Sequence, residues 1–326
     1  MEIWVMKINS TSITAMLFSA PRVITTAFLV LILSGSGFID TPSHSANRDW
    51  FKALQSAIVS IEDGENVSVI DKVMIDALDS GIQVYVVIQT TMSIDATSID
   101  PVLRSLTRVT RDPAGVVKAA FLANIPIATV LQAVLATSAE TETIITAAIM
   151  AGAPIENVMT SCLKAGAPPM LVVSSSIASS KNISGVIEAS VKTGVPPSAI
   201  LQAALSRNIK DLGQVISAYI NAGGDVYGIT AAGIDIGADE CGIIISSLGS
   251  SNEYYQTVKA ALDLNVSDKG ITDCASKDPS IDKQALANAI ETAKAALAYT
   301  PPDESRSRYR RDSIDRERRR GNVSVY

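Results

Sequence analysis

The chain has 326 residues, with 33 acidic against 27 basic, and a net charge of −6. That balance gives no general drive toward nucleic acid, whose partners carry basic surfaces. A single histidine and three cysteines leave no usual His/Cys metal site, and they make a Ser-His-Asp or Cys-His arrangement hard to assemble.

Residues 1–46 read as an export signal. Lys7 and Arg22 precede the apolar run 23–33, and the small residues Gly35 and Gly37 follow, with a second small-residue site at Ser45-Ala46. The run has the length of a signal h-region and is short for a spanning helix. Three readings stand. The run is a signal cleaved after Gly37 or Ala46, an uncleaved membrane anchor over 23–39, or a buried first helix; its length favours the first. No cysteine follows the run, which argues against a lipoprotein. His44 reads as a linker residue beside the cleavage region. The expected location is therefore the periplasm, the cell surface or the extracellular space.

Residues 47–108 hold degenerate copies of the unit that becomes regular further on. VSVIDKVMIDALDS (67–80) and GIQVYVVIQTTMSI (81–94) keep its apolar positions loosely. GIQVYVVIQT is rich in β-branched residues and could form a strand, but its alignment with the repeat favours a helix.

From Val109 to 299 a 14-residue unit repeats. It reads ANIPIATVLQAVLA, TSAETETIITAAIM, AGAPIENVMTSCLK, AGAPPMLVVSSSIA and onward, with one inserted residue assigned to Asn221. Gly152, Gly166, Gly194, Gly223 and Gly237 hold the second position, and Pro154, Pro168 and Pro196 follow closely. That order ends one helix on a left-handed glycine and starts the next on proline. Proline inside a continuous coiled coil would cost ~3 kcal/mol each time, so about ten helical residues lie between breaks.

The eighth and ninth positions are aliphatic pairs such as Val116-Val117, Ile144-Ile145 and Ile200-Leu201, and the thirteenth is Phe121, Leu135, Ile149, Leu163, Ile177, Val191, Leu205 or Tyr219. Spacings of one, four and five residues put these on one buried stripe. The eleventh and twelfth positions are small (Ala119-Ala120, Ala147-Ala148, Ser175-Ser176, Ala203-Ala204). They predict helix–helix contacts near ~8 Å.

A ten-residue helix is ~15 Å long, and a four-residue link reaches at most ~14 Å. Successive helices therefore cannot run parallel. Two units make a 28-residue helical hairpin, and hairpins stack. The expected fold is all-α: an α-solenoid of about 13–16 short helices. None is stable alone, because isolated helices under ~12–15 residues are marginal.

No catalytic residue, cofactor site or small-molecule substrate emerges, and a non-enzymatic protein is expected. Cys162 and Cys274 sit at small-residue positions and read as buried side chains. With Cys241 they suggest no disulfide framework. The carboxylate pairs Glu140/Glu142, Asp239/Glu240 and Asp268/Asp273 fall mostly at helix starts, where they offset the dipole. Asn-x-Ser/Thr occurs at Asn9, Asn66, Asn182, Asn265 and Asn322, which matters only in a eukaryotic secretory source.

Two features point to partners. Residues 123–206 carry only seven charged side chains in 84, against the ~25–35% charge typical of a soluble surface. Ser and Thr supply the polarity, another chain covers this stretch, or it inserts into a membrane. After Thr300-Pro301-Pro302 the tail holds eight arginines: Arg306, Arg308, Arg310, Arg311, Arg316, Arg318, Arg319 and Arg320. Five acids stand among them, leaving +3 on the tail and −9 on the rest. The tail is either a solvated disordered segment or a docking arm for an anionic surface, a polysaccharide or an acidic neighbouring solenoid.

The AGAP-type units, with their aliphatic pairs and Ala-Ala steps over 109–291, resemble the alanine-rich helical repeats of poorly characterised exported bacterial proteins. The resemblance implies an exported helical array and supplies no activity. The expected role is structural or self-associating in the cell envelope or outside the cell, with a second copy or another envelope protein as partner. The alternative is a solenoid that binds a peptide, glycan or other ligand in its groove. Such a binder should set aromatic or charged anchors at matching positions of successive repeats, and Tyr219, Tyr227, Tyr254 and Tyr255 share no register.

Overall fold

The computed structural model describes residues 44–62, 67–137 and 139–299. The apolar run, Gly37 and the Arg-rich tail lie outside the described residues. The chain divides into two compact units, Met1–Asp49 and Trp50–Tyr326. The described part of the first is only the start of helix α1 (His44–Glu62), whose first turn includes Ser45 and Ala46.

The second unit is a helical-repeat solenoid. After α1 come α2 (Val67–Asp79), α3 (Val84–Ile94), a 3-10 turn (Ala96–Ser98) and α4 (Ile99–Thr110). The regular repeats follow as α5 (Pro113–Leu122), α6 (Ile127–Leu135), α7 (Thr141–Met150), α8 (Ile155–Lys164), α9 (Pro169–Ser179), α10 (Ile183–Lys192) and α11 (Pro197–Ser206). Then come α12 (Leu212–Asn221), α13 (Val226–Asp235), α14 (Glu240–Ser250), α15 (Tyr254–Asp263), α16 (Asp268–Ala275) and α17 (Lys283–Tyr299). No strand occurs among the described residues, and the β-branched segment 84–94 is helical as expected.

From α2 to α17 every helix packs against the second one after it, more extensively than against its immediate neighbour. Odd-numbered helices thus form one layer and even-numbered helices the other. Each hairpin spans the two layers, as the linker geometry requires.

The predicted left-handed glycines are all in place: Gly152, Gly166, Gly194, Gly223 and Gly237 have φ between 70° and 95°. Asn124, Asn208 and Asn265 fill the same slot with φ of 57–68°, since a short amide side chain tolerates that region. The closing geometry is a Schellman motif. At Gly152, its N–H donates to Ile149 O (3.0 Å) while the Ala153 N–H donates to Ala148 O (3.1 Å). The third-position residue then folds inward: Ile125, Ala153, Val195 and Val266 are buried. Pro126, Pro154, Pro168 and Pro196 stand one residue ahead of the helix, at the N-cap. Their carbonyls accept the first helical hydrogen bonds, as from Val158 to Pro154.

A second start signal emerges alongside proline. Asp112, Asn182 and Ser267 accept hydrogen bonds from the N–H groups of Gly115, Gly185 and Gly270, three residues on, at 2.9–3.0 Å. Substituting such a cap by Ala typically costs ~1 kcal/mol.

The eighth and ninth positions form the core as predicted; Val116, Val117, Ile144, Ile145, Ile200 and Leu201 have no exposed surface. Each such side chain contributes about 1.5–3 kcal/mol of burial free energy. The expectation for the thirteenth position needs correction. Ile177 is buried as predicted, but Phe121, Leu135, Ile149, Leu163 and Val191 are only half-buried and Leu205 is 43% exposed. The third buried row is instead the twelfth position, where Ala120, Val134, Ala148, Cys162, Ser176, Ser190 and Ala204 are fully buried. Positions eight and twelve are one helical turn apart and share a face, which leaves the thirteenth mostly at the rim of the buried stripe.

The inserted residue also moves. In α12 the buried pair is Val215-Ile216, with Tyr219 inside at 5% exposure, while Gln214 faces solvent. The stripe has already advanced by one before Leu212. The extra residue is therefore Lys210, in the linker between Asn208 and Asp211, and not Asn221.

Stacked helices contact in a fixed register. Ser179 hydrogen-bonds Thr146 (2.9 Å) and Ser250 hydrogen-bonds Ser217 (2.6 Å), both 33 residues apart. Tyr227 donates to Asp263 at 2.8 Å, 36 residues on, and Lys192 reaches Glu156 at the same spacing (3.9 Å). At the N-terminal end Asp71 accepts from Ser105 and from Arg108 (2.7 Å). Burial pushes the Asp71 carboxyl up, but the Arg108 and Ser105 hydrogen bonds and the Arg108 charge outweigh it, and the group ends below its ordinary range.

Candidate functional site

A groove of about 840 Å³ opens on the even-numbered layer across α10, α12 and α14. It lies where the repeat gains its extra residue. The shift of one position turns Gln214 outward and puts Gly213 at the contact with α14. A Cβ at Gly213 would sit 2.4 Å from Ser246 Oγ, so a larger residue there would force the Ser246 hydroxyl to turn away.

The walls are polar. Ser184 and Glu188 come from α10, Asp211 caps α12, Gln214 and Asn221 lie on α12, and Ser246 comes from α14. Asp211 Oδ1 accepts from the Gly213 N–H at 3.0 Å. Glu188 pairs with Lys192 at 2.7 Å. The hydrogen bond from Lys192 and its charge hold the Glu188 carboxyl below its ordinary range and raise the Lys192 ammonium in return. Both groups are about half exposed, so the pair adds little stability. Ser184, Gln214, Asn221 and Ser246 have no side-chain hydrogen-bond partner among the described residues. Their donors and acceptors point into the groove unspent.

Other sequence-singled residues are absorbed by the scaffold. Tyr219 is core. Tyr227 binds Asp263, with the Lys259 ammonium 4.9 Å from its ring centre. The Tyr254 hydroxyl accepts from the Asp282 N–H. Glu140 and Asp239 are N-cap residues, and Glu142, Glu240 and Asp268 lie in first turns, as expected for carboxylates that offset helix dipoles. Asp273 is interior to α16. Asn182 and Asn265 serve as cap residues. Among the described residues, no group of three His, Cys, Asp or Glu side chains is placed to hold a metal ion. No helix among them is long and apolar enough to cross a membrane. The eight tail arginines, Arg306 through Arg320, lie outside the described residues.

The cysteines divide. Cys162 is buried as expected, and burial pushes its thiol up to about 12. Cys241 and Cys274 form a disulfide between α14 and α16, with Cα atoms 5.0 Å apart, contrary to the expectation of no bridge. Their separation of 33 residues is the stacking register already seen for the hydroxyl pairs. Cysteines that look scattered in the sequence therefore meet across one step of the layer.

No protein-family model matches this chain, and no curated protein matches it.

Proposed function

We propose that the chain is a non-catalytic, exported helical-repeat protein with a structural, self-associating role in the cell envelope or outside the cell. The observation that carries this reading is an apolar row along one edge of the array. Leu122 closes α5 at 59% exposure, Met150 closes α7 at 77%, Ile183 opens α10 at 37% and Leu205 lies near the end of α11 at 43%. Hairpin connectivity puts the start of α10 beside the end of α9, so all four residues stand at the same edge of the array, three on one layer and Ile183 on the other. At ~8–10 Å per stacked helix the row runs about 25–30 Å. Three of the four fall in the charge-poor stretch 123–206, so a second copy meets little like-charge repulsion. The Cys241–Cys274 bridge supports export, since stable disulfides belong to oxidising compartments.

Light scattering of the mature protein at low salt should give a mass that rises with concentration. Met150→Lys should weaken association about 10- to 100-fold, the equivalent of one buried apolar side chain. Deleting 303–326 should weaken it as well, in a salt-sensitive way. A monomer at every concentration would remove the reading.

The second reading, a ligand-binding solenoid, rests on the unspent polar groups of the α10–α12–α14 groove. Its volume suits a small ligand, and its lining suits a neutral, hydrogen-bonding one such as a glycan or a peptide main chain. Titration with oligosaccharides and uncharged peptides should shift the Gln214 and Asn221 side-chain amide resonances. The double variant Gln214→Ala/Asn221→Ala should then bind at least tenfold more weakly, as expected when two hydrogen bonds are lost. Unmoved amides across the panel would discard this reading.

A further inference from the structure

We propose that the Cys241–Cys274 bridge is a redox-operated clip for α16, closed in an oxidising medium and opened by a dithiol, so that the array loosens at its C-terminal end. This goes beyond the self-association reading and does not depend on it.

Helix α16 is short and little of it is buried; it packs on α14, and an exposed Asp268–Lys294 ion pair (3.0 Å) ties it to α17. At eight residues it is the shortest α-helix described, ~12 Å long. Gly270, Thr272 and Asp273 are weak helix formers, and only Ile271, Cys274 and Ala275 are buried. On its far side a groove of about 580 Å³ separates it from α17, with Thr272 and Asp273 on one wall and Leu286 and Ile290 on the other.

The core is also divided here. Ile243 belongs to the cluster that runs through the main array, whereas Ile244 belongs to a smaller cluster reaching Ala293. Helix α14 straddles both. The bridge joins that straddling helix to α16, so it ties the end cluster to an element anchored in the main one.

The chemistry has a defined entry. Cys274 is 4% exposed, Cys241 is half-buried, and the Lys277 Nζ lies 3.4 Å from Cys241 Sγ. The ammonium draws an anionic thiolate toward that sulfur. The thiolate attacks Cys241 Sγ, the S–S bond breaks, and Cys274 leaves as a thiolate that takes up a proton. The second thiol of the reductant then closes on the mixed disulfide and releases Cys241. The dithiol becomes a cyclic disulfide and the protein gains two thiols.

Native-state hydrogen exchange on the full mature chain, with and without dithiothreitol, tests the clip. Amides of α16 should exchange roughly 30- to 1,000-fold faster after reduction, the range expected for losing a typical protein disulfide. Those of α5–α11 should not change. The double variant Cys241→Ser/Cys274→Ser should match the reduced protein in both media, and Lys277→Gln should slow reduction by dithiothreitol several-fold. Equal α16 protection before and after reduction of the wild-type chain, or a loss spread evenly along the array, would overturn the proposal. Three titratable thiols in the denatured, unreduced protein would do the same. An unchanged rate for Lys277→Gln would overturn the attack at Cys241. Scattering mass is read separately, so failure of the clip and failure of self-association are distinguishable.

Discussion

Tyr219→Ala should cost about 3–5 kcal/mol, the range for emptying an aromatic site in a core, and adding Gly224→Val should recover most of it. The Gly224 N–H donates to Tyr219 O, the hydrogen bond that joins the twelfth position to the third of the next unit at each Schellman cap. In several units the pair is small then larger: Ser190 with Val195, Ala204 with Ile209, Ala261 with Val266. At 219 and 224 the order is reversed, with an aromatic ring at the twelfth position and glycine at the third. The ring fills the space that Val195 or Ile209 fills elsewhere, and a Cβ at Gly224 would lie 2.2 Å from it. Gly224 has no positive φ, so valine meets no backbone strain there. Gly224→Val alone should therefore destabilise by collision, Tyr219→Ala alone by cavity, and the double variant should restore the regular repeat. Urea-denaturation midpoints of the four proteins measure the coupling. If the two losses simply add, the reciprocal packing does not exist.

Ala204→Leu should lower stability by about 1–3 kcal/mol, the usual cost of overpacking. Ala204 is fully buried at the small-residue row, and its carbonyl accepts from both Arg207 and Ile209. An isobutyl group there would force α11 away from its neighbours and strain the cap that ends it. The adjacent Leu205→Ala supplies the contrast. Leu205 is 43% exposed, so its truncation should stay near the ~0.5 kcal/mol typical of surface changes. Thermal melts of the two variants, one residue apart on the same helix, should differ clearly. Equal melting temperatures would mean that the twelfth position is not the contact row.

The sequence carried what a single unit can express. Val116-Val117 and Ile200-Leu201 are core because two adjacent aliphatics recur every 14 residues. Gly152 and Gly194 are caps because no other residue suits their φ so well. The Asn124 and Asp112 signals were equally present but less distinctive, since Asn and Asp also serve loops. What could not be read from one unit is whatever depends on how units stack. Whether position twelve or thirteen faces the neighbour depends on that stacking. Whether Cys241 meets Cys274 depends on a 33-residue register that exists only once the layers form. The groove was illegible for the same reason. Ser184, Gln214, Asn221 and Ser246 are ordinary surface residues until α10, α12 and α14 bring them together around a shifted frame.

The 33- and 36-residue register has a consequence for how the chain acquires its structure. Nearly every cross-helix partner lies within about one and a half hairpins along the chain, with Arg207–Glu142 (65 residues) the long exception. Ends need not be brought together from afar, so little loop-closure entropy opposes each step. A helix can dock as soon as the second one after it has been synthesised. The array can thus assemble behind the advancing polypeptide, N-terminus first, with each completed hairpin the template for the next. The Cys241–Cys274 bond can close only when α16, the last helix but one, has been added. It marks the finish of that sequence.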